Sequence, residues 1–117
     1  MDDIKRIDAG ARLSDAVIYG GTLYSCGMVP DSAAGQPIFE QTCDVLAQID
    51  ALLATAGSNK TRILKAIIWL ADMADYDEMN RAWDRWVTPG KAPARATVEA
   101  RLANPDWRVE IMIEAAI

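Results

Sequence analysis

Two stretches near the end of the chain place charged side chains at alternate positions. Arg95, Thr97, Glu99 and Arg101 recur every second residue, and so do Glu110, Met112 and Glu114. Such alternation sends side chains to opposite faces of a β-strand, so each stretch reads as a strand with one charged row and one apolar row. Asn104-Pro105-Asp106-Trp107 lies between them. Proline presets a turn dihedral, and Asn and Asp bond nearby backbone, so a four-residue turn is expected that pairs Ala103 with Arg108. In that register Arg95, Thr97, Glu99, Arg101, Glu110, Met112 and Glu114 share one face. The other face is apolar, with Val98, Leu102, Val109, Ile111 and Ile113 among its members. A row carrying both signs either forms solvated cross-strand ion pairs, worth about 0.2–1 kcal/mol each, or lines a site.

Composition narrows the chemistry such a site could perform. The 117 residues contain no histidine, which removes Ser-His and Cys-His relays and imidazole proton shuttles. Cys26 and Cys43 lie in separate elements without metal-ligand spacing, so no metal site is expected. A net charge of -5, with Lys and Arg scattered rather than clustered, speaks against a nucleic-acid partner and against RNA cleavage. No apolar run approaches the ~18 residues of a membrane span, and Met1-Asp2-Asp3-Ile4-Lys5-Arg6 lacks the basic-then-apolar order of a secretion signal. A cytoplasmic protein without membrane contact is expected. Half of the residues are hydrophobic, enough for one folded domain spanning 1–117.

The elements that must carry the charged row read in order as two strands, helix, strand, helix, two strands. Residues 14–19 and 22–29 flank Gly20-Gly21, a dipeptide suited to a tight hairpin. From Pro37, apolar residues at three- and four-residue steps from Ile38 to Leu53 predict a long helix, ended by Gly57. Ser58 is expected to cap a short turn through Arg62. Ile63 to Leu70 is a dense run rich in β-branched residues, hence a buried strand. Residues 76–87 predict a second amphipathic helix, with Met79, Ala82, Trp83 and Trp86 on one side. The four tryptophans are expected mainly as core mass. The sum is an α+β fold: a mixed four- or five-stranded sheet with both helices on its apolar side. Its charged face then meets water or another copy.

Pro93-Ala94-Arg95, Val98-Glu99-Ala100-Arg101-Leu102 and Val109-Glu110-Ile111 together resemble the signature of the reactive-intermediate deaminase (Rid, or YjgF) family. Cys26-Gly27-Met28-Val29-Pro30, Gln41–Ile49, Ala56-Gly57-Ser58 and Ala74–Asn80 also line up in order, so the resemblance covers nearly the whole chain. It implies a chorismate-mutase-like fold assembled as a homotrimer, with ligand clefts between subunits. The implied reaction is hydrolysis of enamines or imines of 2-oxoacids, with water as second substrate and no metal or organic cofactor.

By the same resemblance Arg95 matches the arginine that clamps the ligand carboxylate, a role suited to a planar fork of donors. Glu110 matches the glutamate that handles the attacking water, and Asn80 an asparagine near the ligand. The alternative for Glu110 is a salt bridge to Arg101, its opposite neighbour in the hairpin register. Three positions depart from the family pattern. Thr97 stands where a cysteine is usual, Cys26 replaces a serine, and Leu13 replaces a tyrosine. Arg12, beside Leu13, offers a second anion donor and suggests a different or larger acid. The competing reading is a trimeric binding or regulatory protein for small carboxylates that kept the pocket and lost catalysis. The catalytic reading expects Arg95 and Glu110 to point together into one crevice roofed by a neighbouring copy.

Overall fold

In the computed structural model, which describes residues 3–117, three strands are followed by a helix, a strand, a second helix and two more strands. Met1 and Asp2, the start of the segment read above for a secretion signal, lie outside the described residues. The elements are β1 (Lys5–Ile7), β2 (Ala16–Tyr19), β3 (Thr22–Ser25), α1 (Ile38–Thr55), β4 (Ile63–Leu70), α2 (Tyr76–Trp86), β5 (Ala94–Glu99) and β6 (Val109–Ala116). They form one mixed sheet in the order β1-β2-β3-β6-β4-β5, with β4 and β5 parallel and the other pairs antiparallel. The sixth strand is β1, whose Lys-Arg-Ile is too short to show alternation.

The terminal hairpin does not form. β5 and β6 both pair with β4, one along each of its edges, and not with each other. The turn residues do turn the chain: Asn104 Oδ1 accepts from Asp106 N and its carbonyl accepts from Trp107 N. Turn chemistry fixes local geometry but not the strand that follows. β4 is apolar along most of its length, so it gains most by lying between two partners, and residues 100–108 bridge over its end. Ala100 N donates to Leu70 O, and Ala71 N to Arg108 O.

This topology reassigns the faces. Trp69 pairs with both Val98 and Glu110, whereas Ala66 pairs with Arg95 and Ile113, and Ile68 with Thr97 and Ile111. Paired residues share a face, so Arg95 and Thr97 lie on the side of Ile111, and Glu110 lies on the other. The expectation that Arg95 and Glu110 share one face is overturned within a single chain. So is the Arg101–Glu110 pairing, and Ala96 and Val98 leave the core face for the open one.

Both helices cover the Ile111 face, as expected. Val45, Leu46, Ile49 and Leu53 of α1 are buried with Ile68, Leu70, Ile111 and Ile113, and Met79 and Trp83 of α2 complete the core. Gly57 ends α1 with φ +76°, the left-handed conformation that glycine adopts without a Cβ penalty. Ser58 is not the cap of the next turn. Asn59 is, its side chain accepting from Thr61 N, while Ser58 Oγ donates to Ala116 O at the end of β6. Trp83 is buried and Trp86 packs against the core, but Trp69 is half-buried on the open face. That face is not a charged row. Ile67, Trp69, Ala96, Val98 and Met112 form its centre, with the Lys65–Glu114 ion pair (3.0 Å) at one side and Glu110 at the other.

Candidate functional site

Arg95 sits on β5, an edge strand, and reaches toward α2. Its Nη1 donates to Asn80 Oδ1 at 2.7 Å and its Nη2 to Tyr76 Oη at 3.3 Å, while the guanidinium lies 5.2 Å from the Trp83 ring centre. Tyr76 and Asn80 are one helical turn apart, so a single face of α2 supplies both tethers. The helix is placed by its entry. Asp72 caps the turn before it by accepting from Ala74 N, and Glu99 at the end of β5 accepts from Met73 N at 2.8 Å. A guanidinium has five N–H donors in a rigid fork, so two tethers leave donors for a ligand carboxylate.

Thr97 shares the row of Arg95, but its Oγ1 is closed off from solvent and has no hydrogen-bond partner. In this conformation the hydroxyl does not face a ligand. Tyr76 was not singled out from sequence, although its i, i+4 spacing from Asn80 is a signal that could have found it.

Glu110 is built from the other side. Two residues earlier, Arg108 N donates to the buried Gln41 Oε1 at 2.8 Å, and the Arg108 guanidinium makes a bidentate pair with Asp75 at 2.8 and 3.0 Å. One residue later, Ile111 exchanges two backbone bonds with Met28, at 2.8 and 3.0 Å. Glu110 is thus fixed in register between two anchors. Its carboxylate lies over the backbone of Gly27, and burial pushes its pKa above the ordinary glutamate range. Cys26 is half-buried beside it. Burial raises the thiol pKa first, and the nearby carboxylates of Asp15 and Glu110 raise it further, so the thiol stays protonated at neutral pH.

The sequence candidates therefore fall into three places. Arg95, Asn80 and Thr97 gather between β5 and α2, and Glu110 and Cys26 lie at the other face, near the end of β3. Arg12 is exposed in the loop joining β1 to β2, next to the 59% exposed Leu13. β1 and β5 are opposite edges of the sheet, five strand spacings apart, or roughly 24 Å. Arg12 and Arg95 of one chain cannot grip one small ligand. An open hollow of about 530 Å³ at the end of β4, lined by Ala71, Glu99, Arg101 and Trp107, contains neither Arg95 nor Glu110. Among the described residues no three His, Cys, Asp or Glu side chains gather to hold a metal ion, and no helix is long and apolar enough to cross a membrane.

A mixed six-stranded sheet with two helices on one face defines an α+β protein of YjgF-like architecture. The YjgF-family protein from Neisseria meningitidis superposes with a TM-score of 0.94 at 53% identity, covering 97% of this chain and 94% of that one. Residues 3–117 match the family model described as endoribonuclease L-PSP. Among curated relatives, the RutC family protein YoaB of Escherichia coli is 55% identical over 114 residues, 97% of this chain and 98% of that protein. A RutC family protein of Haemophilus ducreyi is 54% identical over 114 residues, 97% of both chains. A Rid-family protein, YyfA of Yersinia pestis, superposes with a TM-score of 0.85 at 30% identity, covering 93% of this chain and 90% of that one. The chain belongs to the YjgF/Rid family.

Proposed function

We propose that this chain is a hydrolytic deaminase of 2-iminoacids and their enamine tautomers, with each site assembled from two copies. The observation that carries the reading is the pair of preorganised groups. Arg95 is tethered by Asn80 and Tyr76 with donors to spare, and Glu110 is anchored at a partly buried position where burial raises its pKa. They lie on opposite faces of one sheet, so a joint site takes Arg95 from one copy and Glu110 from the next. The open face supports such an assembly, since its centre of Ile67, Trp69, Val98 and Met112 is apolar and Val98 is 42% exposed. Two different surfaces meeting head to tail close into a ring when the rotation between copies divides a full turn, and a homotrimer is the ring proposed here.

The chemistry then balances simply. Arg95 holds the carboxylate of R–C(=NH)–COO⁻, and water adds to the imine carbon as Glu110 takes its proton. That proton passes to the imine nitrogen to give the carbinolamine; Glu110 then takes the hydroxyl proton and delivers it to the amino group, and the C–N bond breaks as C=O forms, leaving the 2-oxoacid and ammonia. A carboxylate of raised pKa suits both directions of this transfer. No cofactor enters the scheme.

The test is to generate 2-iminopropanoate or 2-iminobutanoate in situ and follow its decay with and without the protein. The reading expects acceleration by the native chain and its loss in Arg95→Ala. Unchanged decay with the native chain refutes it. The closed-off Thr97 hydroxyl and the distant Arg12 favour a second reading, a non-catalytic binding protein for small carboxylates. A 2-oxoacid that raises the melting temperature while the imine persists selects that one.

A further inference from the structure

A glycine is kept in a chain for one of two physical reasons: a backbone conformation that other residues avoid, or space that a Cβ would take. At Gly20, Gly21, Gly35, Gly57 and Gly90 the first reason holds, since each has positive φ. Gly27 is not among them. A Cβ built on Gly27 lies 2.0 Å from Glu110 Oε2 and 2.9 Å from its carboxyl carbon, a separation that real atoms do not adopt. The volume of the absent side chain is filled by the Glu110 carboxylate.

We infer that Gly27 is a positioning residue for Glu110: its bare backbone is the shelf on which the carboxylate rests. The inference rests on the proposed role of Glu110 and adds the group that sets where its oxygens stand. Three features make the shelf rigid. Met28, the next residue, is locked to Ile111 by two backbone bonds. Cys26 N donates to Asp15 O at 2.8 Å on the other side of Gly27. Ser25 Oγ accepts from Ile113 N at 2.9 Å and donates to Cys26 O at 2.8 Å, tying the end of β3 to β6. The shelf and the carboxylate are therefore held against each other from both strands. The three atoms nearest a Cβ at residue 27 all belong to the flexible Glu110 side chain, so a methyl group there displaces the carboxylate and leaves the fold intact.

The shelf also accounts for the environment of the acid. Resting on backbone removes water from one side of the carboxylate, in keeping with the burial that raises its pKa. Displaced by a methyl group, it swings into water and titrates as an ordinary glutamate.

The experiment uses the full-length protein and two readouts. Gly27→Ala should unfold within about 2 °C of the native melting temperature, since surface changes that spare the core are nearly neutral. In carboxyl-carbon NMR the Glu110 titration should move to lower pH, toward the ordinary glutamate range. In the imine assay kcat should fall about 100-fold with KM little changed, as for a reacting group misplaced by about 1 Å. In a Glu110→Ala background the same substitution should cost nothing further, because there is no carboxylate left to move. If the native protein hydrolyses no imine, the deaminase reading fails, yet the titration still decides the shelf. An unmoved Glu110 titration in Gly27→Ala, or an equal loss of kcat in the Glu110→Ala background, overturns the inference. Should Gly27→Ala fold poorly, Glu110→Asp alone decides. Its shorter carboxylate cannot reach the shelf and should titrate in the ordinary range, and a titration still raised as in the native protein overturns the inference.

Discussion

The two faces of the sheet are built on opposite terms. On the helix side every apolar residue of β6 is buried, and Arg95 at the margin is tied down by α2. On the open side an apolar centre is left without cover, and Glu110 is fixed in register between the Arg108 anchor and the Met28–Ile111 bridge, its carboxylate against the Gly27 backbone. The difference teaches that Arg95 and Glu110 of one chain do not share a face. On the proposed reading one face holds the anion clamp and the other the base, and the uncovered apolar centre is what a second copy would bury to unite them.

That contrast can be broken or sharpened by substitution. The largest effects should fall on activity. Arg95→Ala and Glu110→Gln should each lower kcat/KM for a 2-iminoacid by about 10²–10⁴-fold, with Arg95→Lys rescuing little because the fork is lost. The rate should rise with pH through an apparent pKa above the ordinary glutamate range, as water addition needs Glu110 ionised. Stability runs the other way. A folded carboxyl with raised pKa contributes stability below its unfolded pKa and loses it as pH rises through the folded one. Glu110→Gln should therefore leave the melting temperature at pH 7 unchanged or higher.

Next come effects on folding, which should separate the faces. Ile111→Ala should lower stability by about 2–5 kcal/mol in chemical denaturation, because it opens a cavity in a closed core. Met112→Ala, one residue on, should instead weaken self-association measured by analytical ultracentrifugation. Thr97→Val should be neutral or stabilising by about 1 kcal/mol, since it removes a hydroxyl that is buried without a partner. The smallest effect is chemical: iodoacetamide should modify the exposed Cys43 well before Cys26, whose thiol is raised by burial and by two carboxylates.

Much of this architecture was legible in residue order. Period-two alternation located β5 and β6, helical spacing located α1 and α2, and the dense run Ile63–Leu70 announced a buried strand. What alternation does not encode is the neighbour. The turn at Asn104-Pro105-Asp106 invited a direct hairpin, but the two-sided apolarity of β4 outweighed it, and placing β4 between β5 and β6 moved Arg95 to the opposite face from Glu110. β1 was missed because three residues carry no period. At the site, Arg95, Asn80, Glu110 and Cys26 were each reached through the family resemblance; the structure sets Arg95 against Asn80 and Glu110 near Cys26. Their separation was not legible, because it depends on the strand order. Tyr76 was missed although its helical spacing from Asn80 could have found it, and Gly27 emerges only from the coordinates, since no sequence pattern tells a glycine kept for space from one kept for φ.

Mixing two impaired variants tests the central claim most directly. Arg95→Ala and Glu110→Ala proteins, each with only residual imine hydrolysis, are unfolded together, refolded at equal concentration and assayed. If each site draws its guanidinium and its carboxylate from different copies, random assembly into rings restores about one quarter of the native rate. A mixture as inactive as its two components, with mixed rings confirmed by native mass spectrometry, would contradict the account.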